Sequence, residues 1–178
     1  MRVYLLNEVG YVEAMIGISL SHGTSVEQAK QVAKNLSQKD GGHNKFLESI
    51  MLWFDVTAPR HWWQEADTYR ISSKQSESTM HTIHRRDLVQ EDFEGNIPDC
   101  VLELLNMRVQ RYRADRTPDN LKYLKDLLPE GFLQRRIWVM SYKTLRNITR
   151  QRHDHRQPGW REVFVPYAIN TIQHPEFL

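Results

Sequence analysis

Residues 59–79, PRHWWQEADTYRISSKQSEST, gather three charges of each sign, two adjacent tryptophans and four serines. Hydroxyls, amides and fixed charges beside aromatic mass are the materials of a site for a polar, planar ligand. Trp62 and Trp63 suit a core or subunit-interface position, and a stacking platform is the sharper alternative. A second concentration lies near the C-terminus, where Arg146, Arg150, Arg152, Arg156 and Arg161 crowd together while the acidic residues fall mostly earlier. That asymmetry points to a local anion site or to a solvated basic helix face. His153-Asp154-His155 offers two ligands from one segment, which is half a metal site, and no HExxH or cysteine partner completes it. No metal is therefore expected.

Cys100 is the only cysteine. It rules out a disulfide framework or a cysteine-rich metal centre within one chain. Placed near the start of a helix, its thiol is either a dipole-activated nucleophile or, as expected here, a packing residue. GxSxG, Walker and GxGxxG motifs are absent, so serine-hydrolase and P-loop chemistry have no support.

These groups sit in a chain of 178 residues, 40% hydrophobic and 26% charged, with a net charge of +2. That is a globular composition, expected to form a single domain over 1–178. The charge is too mild to imply a nucleic acid polymer as partner. No apolar run reaches the roughly 18 residues of a membrane span, and MRVYLLNEVGY lacks the features of a signal peptide. A cytoplasmic location is the default expectation.

The elements that must position the site follow from periodicity and punctuation. Residues 2–6 read as a strand. TSVEQAKQVAKNL opens with a capping-box pattern, Thr24 and Glu27, and puts Val26, Ala29, Ala33 and Leu36 on one helical face. Ile50, Leu52, Phe54 and Val56 alternate as in a strand that ends at Pro59, from which a helix runs through the tryptophans. A helix over about 99–114 should face inward with Val101, Leu104, Leu105, Val109 and Tyr112. Thr117-Pro118 caps and opens a helix carrying Leu121, Leu124 and Leu128. A strand at 135–140 precedes a helix with Leu145, Ile148 and Thr149 inward, and a last helical stretch covers about 159–173. The fold class is α/β (α+β), rich in helix.

The order of these features resembles the signature region of the flavin-dependent thymidylate synthases. Gly42-His43 takes the place of that family's Gly-His, Glu48 its glutamate, and Ala58-Pro59 the strand end. Arg70 falls on the last arginine of its Arg-His-Arg triplet, and Ser73 and Ser78 on its two serines. Leu128-Pro129 and RRIWVMSYKTLRNITRQR are similar to its late strand and helix, with Asn147 and Arg152 matching, and the tail GWREVFVPYAINTIQHPEF to its closing helix. The likeness covers about two thirds of the chain. The triplet here is Thr68-Tyr69-Arg70, the family's Asn-Glu is Gln75-Ser76, its Arg-Tyr is Met80-His81, and Glu65, Lys125 and Ser141 replace Gln, Arg and Asn.

The resemblance implies a helix-rich fold with a small sheet, assembled as a homotetramer with its site built at subunit contacts. It implies an enzyme that moves a one-carbon unit from methylenetetrahydrofolate to C5 of a deoxyuridine nucleotide, dUMP or a related pyrimidine nucleotide. FAD would be the cofactor and NADPH the reductant. A flavin that carries the hydride explains why no cysteine nucleophile is needed. By the same resemblance His43, Glu48, Arg70, Ile71 and Asn147 line the flavin site. Ser78, Lys125, Arg152, Glu65 and Gln75 face the nucleotide, and Arg152 stabilises charge developing on the pyrimidine ring. The alternative is a non-catalytic homologue that kept the fold and binds a nucleotide or a protein. Among the late arginines, Arg152 continues the stripe of Leu145 and Ile148 at three- and four-residue steps. It is therefore expected inward, with Glu48 or Glu65 as the protein anion that would otherwise pair with it. Arg146 and Arg150 lie off that stripe and are expected in solvent.

Overall fold

The computed structural model describes residues 1–178. In chain order it forms β1 (Arg2–Val9), α1 (Tyr11–His22), α2 (Val26–Ser37), a 3-10 turn at Lys45–Glu48, β2 (Met51–Pro59), α3 (Arg60–Ala66), β3 (Ser72–Ser76), α4 (Thr79–Thr82), α5 (Asp99–Ala114), α6 (Pro118–Asp126), β4 (Leu133–Ser141), α7 (Tyr142–Arg152), a π-helical turn at Gly159–Phe164 and α8 (Val165–Thr171). The four strands make one sheet in the order β1-β2-β4-β3. The chain groups into two compact units: residues 2–56, 68–75 and 137–178, and residues 1, 57–67 and 76–136.

The first unit holds most of the sheet. Ile50, Leu52, Phe54 and Val56 are all fully buried, as the alternation predicts. Phe54, Trp138 and Trp160 surround Phe164 at ring distances of 5.6, 5.3 and 5.6 Å. Each such ring removed from water stabilises by roughly 1.5–3 kcal/mol. The turn into α1 depends on Gly10, which has φ of 95°, and a Cβ there would lie 2.2 Å from the Ser49 carbonyl oxygen. Helix α2 is capped one residue later than the sequence pattern suggests. Ser25 accepts from the Gln28 amide while the Gln28 side chain accepts from the Ser25 amide. The Ser25 backbone is extended, as a cap requires, which leaves Thr24 outside the helix.

The second unit is built around α5 and α6. Its core is Ile83, Leu88, Phe93, Ile97, Leu105, Val109, Leu124, Leu128 and Phe132. The Thr117 hydroxyl accepts from the Asn120 amide and Pro118 opens α6, as expected. On α5 the buried face is rotated from the expected one: Leu102 packs inward and Leu104 is 40% exposed. Cys100 is exposed rather than a packing residue, because its side of the first turn faces away from this core. Trp62 and Trp63 are fully buried within the chain. They are core residues, neither a stacking platform nor interface side chains. The Trp63 indole N–H donates to the Gln134 carbonyl at 2.9 Å, and the Arg136 guanidinium lies 4.5 Å over its ring.

Candidate functional site

Helix α7 follows β4 directly. Its N-cap is Ser141, whose hydroxyl accepts from the Thr144 amide at 3.2 Å. The Thr144 hydroxyl in turn donates to the Ile71 carbonyl at 2.9 Å, which fixes the segment before β3 against the start of α7. Ser72 donates to the Tyr69 carbonyl at 2.6 Å and tightens the same segment. Between them lies a cavity of about 1070 Å³. Four cations, Arg70, Lys143, Arg146 and Arg150, and two carboxylates, Asp40 and Glu48, line it. Hydroxyls come from Ser72, Ser73, Ser141 and Thr144, and an amide from Asn147.

The cations differ in their pairing. Lys143 binds Glu48 at 2.5 Å, and Arg150 reaches the Gln38 side-chain oxygen at 3.3 Å. Arg70 is exposed and has no ion-pair partner. Arg146 is 4% exposed, yet its one protein acceptor is Asp40 at 3.5 Å, a side chain 84% exposed. Its Nε and Nη2 are buried with no hydrogen-bond partner. Burial pushes its pKa below the usual arginine value and the neighbouring Arg150 adds to that, with Asp40 opposing both. A guanidinium in that state is short of an anion.

Arg146 corrects the expected helix phase. It is buried where solvent was expected, and Arg152 is half-buried at the far end of α7. Tyr142, Thr144, Leu145, Arg146, Ile148 and Thr149 are all buried, so the inward face is much wider than one stripe. The signal was present in the sequence as an arginine between two inward positions, Leu145 and Ile148. Arg152 instead donates from Nε to the Tyr69 hydroxyl at 2.8 Å and meets the His155 ring at 2.5 Å. Its guanidinium stands 5.5 Å from the Tyr69 ring centre and 5.0 Å from that of Trp160. Glu48, one of the two expected protein anions, pairs instead with Lys143.

Of the residues to which the resemblance gave a flavin-site role, Glu48, Arg70, Ile71 and Asn147 share the α7 cavity, joined by Ser73. Ile71 is a largely exposed aliphatic side chain at its rim. His43 lies in a different cavity of the same unit, with Glu13, His22 and Ser49. Lys125 lines a polar cavity of about 310 Å³ in the other unit, with Arg60, Gln64, Asp67, Thr79 and Arg136. The arginines there are already paired: Arg60 with the Leu128 carbonyl at 2.7 Å, Arg136 with Asp67 at 3.1 Å. Ser78 precedes α4 without a side-chain cap bond. Glu65 is half-buried on α3, Gln75 is exposed on β3, and neither lines any of these cavities. His153 pairs with Asp154 at 2.9 Å while His155 faces Arg152, so the two histidines turn to different partners. Among the charged residues of the cavity, sequence reasoning missed Asp40 and Lys143 and expected Arg146 and Arg150 in solvent.

No family model matches the sequence, and no curated protein does. Solved structures do match. Two crystal structures of the flavin-dependent thymidylate synthase ThyX from Helicobacter pylori, both with FAD and dUMP, share the fold with a TM-score of 0.76. Sequence identity is 15%, over 99% of this chain and 97% of that one. Mixed helices around a small sheet thus form the fold of a flavin-dependent thymidylate synthase, as the sequence resemblance implied. No helix is long and apolar enough to cross a membrane.

Proposed function

We propose that this chain binds FAD in the α7 cavity and acts as a flavin-dependent enzyme on a pyrimidine deoxynucleotide. The reaction is transfer of a one-carbon unit from methylenetetrahydrofolate to C5 of dUMP or a related nucleotide, with NADPH as reductant. The observation that carries this reading is the cavity itself: four cations against two carboxylates, on a fold whose solved examples hold FAD and dUMP. The residues fit the cofactor. The orphaned Arg146 donors need acceptors of the kind a diphosphate supplies. Ile71 offers exposed apolar surface to a planar ring, and the volume lies just above the roughly 300–1000 Å³ usual for ligand sites.

When bound, FAD would supply the hydride chemistry. The chain's own residues position and neutralise. Arg70 and Arg150 place positive charge beside the ligand, Ser72, Ser73 and Asn147 orient it by hydrogen bonds, and the Lys143–Glu48 pair closes one wall.

The assembly proposed is a homotetramer. Val12, Ile16 and Leu20 form an exposed apolar stripe along α1, and Tyr4 and Leu6 are exposed on β1, surface that subunit contacts would cover. Light scattering should give a mass near four times the 21.2 kDa chain.

A second reading, a nucleotide-binding homologue without catalysis, draws on Arg152. The side chain that would face the pyrimidine is held by Tyr69, Trp160 and His155. The test is titration with FAD and with dUMP, followed by an activity assay. Protein loaded with FAD is mixed with methylenetetrahydrofolate, NADPH and dUMP tritiated at C5. Release of tritium supports the enzyme. Nucleotide binding without release supports the second reading, no flavin binding at micromolar concentrations defeats the enzyme, and no binding of flavin or dUMP defeats both.

A further inference from the structure

The geometry points to Arg146 as the residue that captures a phosphate group in the α7 cavity, exchanging its resident partner Asp40 for the ligand. The inference rests on the proposal that this cavity is the ligand site. It adds a residue to which the family resemblance gives no role, since that likeness assigns positions 147 and 152.

Three observations converge on it. First, Arg146 lines the cavity and is 4% exposed, so its charge has been taken out of water. An unpaired buried cation is strongly unfavourable, and chains retain one only where an anion compensates. Second, that compensation is weak in the free protein. The Nη1–Asp40 separation of 3.5 Å is at the limit of a hydrogen bond, and Asp40 is 84% exposed. Nε and Nη2 have no acceptor at all. Third, the neighbourhood is cationic. Arg150 sits on the same helix close enough to disfavour the Arg146 charge, and Arg70 and Lys143 share the cavity. An entering anion relieves that repulsion as well as the missing bonds.

The shape of the group selects the anion. A guanidinium presents parallel donors in a planar fork that matches two oxygens of one phosphate. Asp40, held at one nitrogen by an exposed side chain, is a placeholder that a phosphate displaces with small loss. Turning the Arg146 side chain toward the ligand then satisfies donors that are now covered and unmet. The phosphate can belong to a dinucleotide or to a mononucleotide, and the choice of probes separates these sources.

The experiment is calorimetric titration of the full chain with FAD, riboflavin, dUMP and inorganic pyrophosphate. Wild type is compared with Arg146→Met, Arg146→Lys and Asp40→Asn, each checked for folding by thermal melting. Methionine suits the site because an apolar side chain of similar length often replaces a buried charge without loss of stability. Loss of one charge-assisted contact predicts FAD or dUMP binding weakened about 10- to 100-fold in Arg146→Met. Arg146→Lys should fall between, keeping charge without the fork. Asp40→Asn should tighten phosphate binding by removing the competitor, and riboflavin, which has no phosphate, should respond to none of them. A loss confined to FAD assigns the dinucleotide, and a loss confined to dUMP the mononucleotide. Folded Arg146→Met with wild-type affinity for FAD, dUMP and pyrophosphate overturns the inference while leaving the flavin reading intact. Arg146-dependent pyrophosphate binding without any flavin binding does the reverse. A wild type that binds none of the phosphorylated probes also overturns it.

Discussion

Helix α7 holds two arginines out of bulk water, Arg146 at its middle and Arg152 at its last residue, and treats them in opposite ways. Arg152 is boxed by two aromatic faces, a phenol and an imidazole. Arg146 is more deeply buried and has one marginal partner. A guanidinium whose hydrogen bonds and cation–π contacts are filled within the chain supports the fold. One that is buried and unfilled loses stability, and that loss becomes available to a ligand. Burial alone therefore does not mark a binding arginine. The mismatch between burial and pairing does.

The strongest way to break this contrast is to remove the aromatic wall. Trp160→Ala deletes a fully buried indole from the Trp138–Phe164 stack and one face of the Arg152 box. It should cost about 3–5 kcal/mol, read as a lower urea midpoint. Next comes the direct exchange of the two arginines. Arg152→Ala should cost about 1–3 kcal/mol, whereas Arg146→Met should stay within about 1 kcal/mol of wild type or exceed it. Equal losses in paired thermal melts would erase the distinction between the two sites.

Tyr69→Phe refines the Arg152 side. The phenol accepts from Arg152 and donates to Gln151 at 3.0 Å, so its removal leaves the packing and deletes two polar contacts. A loss of about 1 kcal/mol is expected, read in a thermal melt. The smallest effect belongs to Asp40→Asn in the ligand-free protein. Its carboxylate is almost fully in water, and exposed pairs contribute little, so stability should move by less than about 0.5 kcal/mol. A larger drop in the melting temperature would mean that Asp40 already satisfies Arg146.

Much of the scaffold was legible in the sequence because local chemistry sets it. Thr117-Pro118 starts α6 through a hydroxyl cap and a preset φ, and the 50–56 alternation buries one strand face whatever lies above it. The four cavity residues given a flavin-site role beforehand, Glu48, Arg70, Ile71 and Asn147, came from spacing within a family pattern, which travels with the fold. Where prediction failed, the cause was a neighbour that periodicity does not encode. Leu104 and Leu102 exchange roles because the α5 core lies a fraction of a turn from the expected side.

The sequence by itself determined that α7 would form after Ser141 and that Leu145, Ile148 and Thr149 would face inward, since caps and apolar spacing act within a few residues. It also set the count of arginines on that helix. Which arginine is paired and which is left wanting was decided only by the tertiary structure. Helix α7 packs against the 3-10 turn at Lys45–Glu48 and against α8, and six of its eleven residues are buried, with Arg146 carried inward beside an exposed Asp40. The pairing of a charge depends on groups brought from distant parts of the chain, and no periodicity along one helix contains them.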